Sequence, residues 1–300
     1  MKALDAVELL ALAALWGASF LFMRMAAPEF GPIALIAVRV GVAAVFLSGV
    51  LALRGQWRML RRDVGAWVLV GLSNSALPFC LFAYATLSIS AGEAAILNAT
   101  APLWAVAVAR VWLGTPVAPM RWLGAVCGLL GVGVLFAGRA AGSGDHPGGA
   151  VLAGLVAALS YGVAAAYSKR RLTDTPPLVV ATGSLIAATL SLLPLCAWAW
   201  PAHAIAARVW IAALVMGVAC TGVAYILYFR LIRRLGASRA ISVTFLVPLF
   251  AVLWGRAVLH EAVGVQTLLG GVAVLVGTAL STLPAPMLRL LWQRRPTPAA

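Results

Sequence analysis

Inside stretches that are otherwise apolar, this sequence places a few side chains able to do chemistry: Arg39, Glu93, Asn74, Asn98 and a set of aromatics. An ionised group deep in an apolar segment is costly alone and is a functional candidate by default. Arg39 and Glu93, of opposite charge and similar depth, are therefore expected to pair, as working groups or as a structural clamp. Asn74 and Asn98 must face protein or water, where they bond a neighbouring helix or a solute. Trp16, Phe79, Phe82, Tyr161, Tyr225 and Tyr228 lie away from segment ends. The spacing of three puts Phe79 with Phe82, and Tyr225 with Tyr228, on one helical face each, as helix packing or as a wall for an apolar solute. Such a set suits binding more than bond-making. His146, His203 and His260 all fall near loops, there is no DxxxD, DDxxD or HxxxxD, and Cys80, Cys127, Cys196 and Cys220 stand singly. Neither a metal site nor a cofactor is expected.

The elements that hold these residues must be membrane-spanning helices. The 300 residues are 63% hydrophobic and 10% charged, with mean hydropathy +1.02, too few charges to cover a soluble surface. Crossing a hydrocarbon core takes about 20 apolar residues in a helix, because each backbone amide must bond within its own segment. By that measure spans fall near residues 5–25, 33–53, 64–84, 92–113, 119–138, 148–168, 178–200, 208–229, 240–259 and 264–284. The first reads as a retained helix, having no small-residue cleavage site after it. Assigning the 22 bases to alternate sides puts 17 on the side of both termini and 5 on the other. That bias predicts a multi-pass protein of the inner (plasma) membrane with both termini cytoplasmic. It also accounts for the net charge of +14 without nucleic acid, and the expected partners are membrane lipid and a small solute. Trp57, Trp67, Trp122, Trp210 and Trp292 read as interfacial anchors.

The sequence repeats itself. A shift of 146 aligns 71–133 with 217–279 without a gap and with 16 identities in 63 positions, among them Pro102 on Pro248 and Gly124 on Gly270. A shift of 145 sets Trp16-Gly17 over Tyr161-Gly162 and Arg24 over Lys169. The fold class expected is all-α, ten transmembrane helices as two inverted five-helix repeats. The first repeat covers residues 1–140, the second 147–285, and 286–300 form a cytoplasmic tail. An odd number of helices per repeat inverts the second copy and fits alternating access around a midplane site. Pro102 and Pro248 are expected to line a cavity or act as hinges. Trp16 with Tyr161, Phe79 with Tyr225, and Asn98 with Thr244 occupy matched positions, as a shared site requires. Gly124 and Gly128 form a GxxxG that serves either internal packing or a homodimer contact.

Taken together these segments resemble the drug/metabolite transporter superfamily in its EamA-like ten-helix branch. The resemblance rests on WGASFLFMR at 16–24, Pro32 with Arg39, LSISAGEAAILNATAPLWAVAVARVWLG at 87–114 and LGASRAISVTFLVPLFAVLWGRAVLHE at 235–261. A Gly-rich helix follows each of the last two, at 123–138 and 269–280. The resemblance implies export, or occasionally uptake, of metabolites, amino acids or toxic compounds through a pocket bounded by helices 1, 3, 4, 6, 8 and 9. The sequence departs from the family where the fourth helix of each repeat tends to end in Gly-Glu. Here the pairs are Gly114-Thr115 and His260-Glu261, so the acid stands only in repeat two. The competing function is an integral-membrane enzyme acting on a lipid-like substrate, for which the sequence offers no acid or histidine cluster.

Overall fold

The computed structural model describes residues 3–61, 63–137 and 147–282. Arg62, the loop containing Arg139 and Asp145, and the tail with Trp292 lie outside them. Eight helices are long and apolar enough to cross a membrane: α1 Ala3–Phe30, α2 Pro32–Leu53, α3 Val64–Ala85, α4 Ala91–Trp112, α6 Gly148–Arg171, α7 Pro177–Trp198, α8 Ala207–Leu235 and α10 Val265–Thr282. Two shorter apolar helices, α5 Pro119–Leu135 and α9 Val243–Leu259, complete the set among the described residues. Local chemistry sets several ends. The chain reverses between α1 and α2 at Gly31, whose φ of 72° favours glycine, and Pro32 follows in the first turn. Ser90 and Glu93 form a capping box that starts α4.

The main helix pairings are α1 with α8 and α9, α6 with α3 and α4, α3 with α7, α8 with α2, and α2–α7, α4–α9 and α5–α10. Exchanging α1–α5 with α6–α10 maps this set onto itself. The same exchange holds at atomic detail. A Cβ on Gly17 would lie 2.7 Å from Phe250 Cβ and 2.9 Å from Ala251 N, while one on Gly162 would lie 3.0 Å from Ala105 N and from Trp104 C. Phe250 and Ala251 are the 146-residue mates of Trp104 and Ala105. The glycine of each aromatic-Gly pair thus lets α1 lie against α9, and α6 against α4, at backbone distance.

The Gly-rich helices face each other. A Cβ on Gly124 would sit 2.6 Å from Gly277 O, and one on Gly131 would sit 2.8 Å from Val274 N. The GxxxG face is therefore spent inside the molecule, on α5–α10. Trp67 departs from the expectation of an interfacial anchor: it is 4% exposed, donates to Leu60 O at 3.0 Å and lies where Gly183 leaves room on α7. Trp210 packs edge-on against Phe30, with ring centroids 4.9 Å apart. Trp57 and Trp122 are exposed.

Candidate functional site: a central cavity

Equivalent helices α3 and α8 each contain a π-type turn, at Leu72–Ala76 and Val218–Val223, which the repeat shift superposes. Such turns widen the helix, free backbone groups and often mark functional positions. Asn74 stands in the first and Cys220 with Thr221 in the second, and all three line a cavity of about 1130 Å³. The aromatic wall runs from Trp16 against Tyr228 (centroids 5.3 Å) through Tyr225 stacked on Phe229 (5.8 Å). In the repeat-related pair Phe82 stacks on Tyr161 at 6.3 Å, and Phe82 also meets Phe20 edge-on at 5.6 Å. Asn74 Nδ2 donates to Tyr225 Oη at 3.4 Å and so links α3 to α8 across the site.

Trp16, Asn74, Phe79, Phe82, Asn98, Tyr161, Tyr225, Tyr228 and Thr244 are all in the cavity wall. The two prolines differ. Pro102 lines the cavity in the first turn of a helix segment that restarts after Thr100, whereas Pro248 is buried inside continuous α9. The wall also takes in α2 through Arg39 and α7 through Val180, Ala181 and Ser184, beyond the six helices expected.

The expected pair of Arg39 and Glu93 is not formed. Arg39 is 4% exposed, donates through Nε to Thr221 Oγ1 at 3.0 Å and holds its guanidinium 3.9 Å above the Phe79 ring. Glu93 is buried at the start of α4, where Oε2 accepts from Ser90 N at 2.9 Å. Shared depth put the two residues together in the sequence, but depth says nothing of which way each helix face turns. Arg39 points to the cavity and Glu93 serves a cap.

The cavity reaches the basic face. Its wall continues through Ala109, Thr115, Arg121, Lys169, Thr173 and Thr282 to the helix ends that carry the basic loops. At the opposite end the helices are tied. Arg24 Nε lies 3.6 Å from Glu261 Oε1, and Arg24 Nη1 donates to Thr86 O. Both Glu261 oxygens accept from Ala91 N, at 3.1 and 3.2 Å. Burial pushes the Glu261 carboxyl above the usual carboxylate range, against the opposing pull of Ala91 N–H and Arg24. Near the basic end, α1 is tied to α8 instead, by Arg230 to Glu8 at 2.7 Å and Arg234 to Glu8 and Asp5 at 3.3 and 3.5 Å. Sequence reasoning did not reach Ser19 or the Arg24–Glu261 link. Only the match of Arg24 with Lys169 signalled the last.

A helical membrane protein with an aromatic cavity that reaches its basic face has the build of a solute carrier. The sequence matches the EamA-like transporter family over residues 6–137 and 148–283, and the chain belongs to that family, within the drug/metabolite transporter superfamily. It is a multi-pass integral membrane transporter. It is 22% identical to "Uncharacterized transporter YoaV" of Bacillus subtilis over 278 residues, 89% of this chain and 93% of that protein. It is 27% identical to the "Probable terminal-alkyne amino-acid exporter" of Streptantibioticus cattleyicolor over 268 residues, 88% and 89% of the two chains. A solved crystal structure at 20% identity superposes with a TM-score of 0.67 over 96% of this chain and 99% of that one, which shows the shared fold.

Proposed function

We propose that this chain exports a small organic solute with an apolar body across the bacterial inner membrane, by alternating access of two inverted five-helix repeats, residues 1–140 and 147–285. The observation that carries the reading is a cavity that joins repeat-matched residues at mid-depth to the basic face and is closed at the other. With the basic loops in the cytoplasm, this is the state that loads from inside. The named relative from Streptantibioticus cattleyicolor supports the outward direction.

Inverted symmetry describes the second state. The tie among Arg24, Glu261, Thr86 and Ala91 has repeat mates Lys169, Thr115, Ile232 and Ala237. Lys169 and Thr115 line the cavity at the basic end, and closing that end brings them to the backbone of Ile232 and Ala237 while Arg24 and Glu261 leave Thr86 and Ala91. The pairs α1–α9 and α4–α6, each locked by a glycine, move as units.

Two measurements test this. Fusions of a cytoplasm-only reporter after residues 62 and 295 are expected to be active, and one after residue 145 inactive; activity at 145 would break the inverted arrangement. A metabolite and toxicity screen on cells with and without the chain, followed by saturable flux in liposomes, identifies the cargo. A purified protein that turns over a lipid and moves nothing would replace the transport reading.

A further inference from the structure

We infer that Arg39 is the anion-binding group of the cavity and that the cargo is a small organic monoanion, a carboxylate carried on an aromatic or alkyl body. The inference rests on the proposal that the cavity is a transport site, and adds the chemistry of what enters it.

Arg39 is placed and oriented by groups that do not neutralise it. Thr221 Oγ1 accepts from Nε while giving its own hydrogen to Met216 O at 3.0 Å, and Phe79 supports the guanidinium plane. Nη1 is buried with no hydrogen-bond partner. No acid stands ready to supply the missing charge. Among the described residues, Asp5 and Glu8 meet Arg230 and Arg234, Glu29 meets Arg208, Glu261 meets Arg24, and Glu93 caps α4. Asp63 and Asp174 are exposed at helix ends. The cavity wall holds Arg39, Arg121 and Lys169 and, among the described residues, no Asp or Glu.

A buried cation without a countercharge is strongly unfavourable in a low-dielectric interior, where water or an incoming anion must compensate it. A planar guanidinium with free N–H groups matches a carboxylate, which it can take through two parallel hydrogen bonds. Ser19 Oγ, also buried in the wall and without a partner, offers a second donor. Trp16, Phe82 and Tyr228 face the same space and receive the apolar body. A solute bearing an ammonium finds no carboxylate here. The wall therefore prefers a net monoanion to a cation or a neutral isostere. It also orients the cargo, because the 145-residue mate of Arg39 is Ser184, which lines the cavity without charge.

The test measures binding to the full chain in phosphatidylcholine nanodiscs, by thermal shift and tryptophan quenching. The probes are phenylacetate and indole-3-acetate, against phenylacetamide, phenethylamine and phenylalanine. The carboxylates are expected to bind about tenfold or more tightly than the amide and amine. Arg39→Gln should erase that preference by weakening the carboxylates, and Arg39→Lys should keep part of it. If Arg39→Gln does not fold, Thr221→Val, which releases Nε, and Ser19→Ala should each narrow the preference for carboxylate over amide. Equal binding of carboxylate and amide, or an unchanged preference in Arg39→Gln, overturns the inference. So does phosphatidylglycerol in the disc blocking the probes, which would give the site to a lipid headgroup. Carboxylate binding that depends on Arg39 without flux in liposomes sustains the site and defeats the transport reading. Flux of cations or neutral solutes with no anion preference does the reverse.

Discussion

The tie at the closed end makes a quantitative prediction through Glu261→Ala. The substitution leaves Ala91 N–H without its acceptor and Arg24 without its carboxylate, though Arg24 keeps Thr86 O. A buried donor left unpaired costs about 1–3 kcal/mol. The ion pair adds little, because Arg24 is 34% exposed and its partner lies at 3.6 Å. Spent on a two-state equilibrium, that free energy moves the population roughly 5- to 150-fold toward the state open at the other end. The assay is labelling of Met23→Cys by a membrane-impermeant maleimide added to intact cells, with Cys80, Cys127, Cys196 and Cys220 replaced. Met23 is 2% exposed, lines the cavity and is the repeat mate of Ser168 at the mouth. It is reached from outside only when the tie has opened, so the labelling rate should rise by that factor. An unchanged rate would refute the role given to Glu261. The pH dependence has a definite sign. The Glu261 carboxyl is raised by burial in the closed end and has its ordinary value once hydrated, so the closed end binds the proton more tightly. Acidification through and somewhat above the usual carboxylate range favours the closed end, and raising the pH loosens it. Glu261→Gln, which resembles the protonated form, should stay sealed and lose this pH response.

Thr115→Glu restores at the basic end the carboxylate that repeat two has at Glu261, within the mate position of the same tie, and should speed external labelling of Met23→Cys by stabilising the closed basic end. Trp16→Ala, Asn98→Ala and Tyr225→Ala should each impair flux with normal amounts of membrane-inserted protein; unimpaired flux in all three would place the site elsewhere. Gly124→Ala forces a Cβ to 2.6 Å from Gly277 O, a backbone atom that cannot swing away, and should lower folded protein, whereas Gly133→Ala, with nothing within 4 Å, should not; detergent-solution melting separates the two. Trp67→Ala empties a buried site and should cost about 3–5 kcal/mol of stability, read as loss of folded protein.

Much of the fold was legible because lipid imposes length and apolarity on every spanning helix. Ten apolar segments could be counted, and the glycines of the two aromatic-Gly pairs stood out by their 145-residue spacing. Rotation about each helix axis was not legible. Apolar residues surround these helices on all sides, so no polar stripe announces the inward face. That is why Arg39 and Glu93 looked like partners when one lines the cavity and the other starts a helix. Trp67 looked interfacial because its position near a span end is visible in sequence, while the space left by Gly183 on α7 is not. The π-type turns also escaped, since one extra residue per turn leaves no compositional mark.

Matched and unmatched positions divide the work. Where backbone must meet backbone the repeats agree: Gly17 lies against Phe250 and Ala251 as Gly162 lies against Trp104 and Ala105, so the two end states can share one packing geometry. Where side chains close an end they disagree, Arg24 with Glu261 against Lys169 with Thr115. On the proposed alternating access, shared packing makes the exchange between states passable, and unequal closures set which state is favoured at rest. The same division holds at the centre. Trp16 and Tyr161, and Phe79 and Tyr225, give both halves an aromatic face that a solute can hold throughout the exchange. Arg39, whose repeat mate is Ser184, carries a charge that has no counterpart. A wall built only of matched residues would grip a symmetric apolar body in either direction. On the proposed reading, one unmatched, uncompensated cation gives the cargo a head and a tail, and so ties the identity of the solute to a cavity position where the repeats differ in charge.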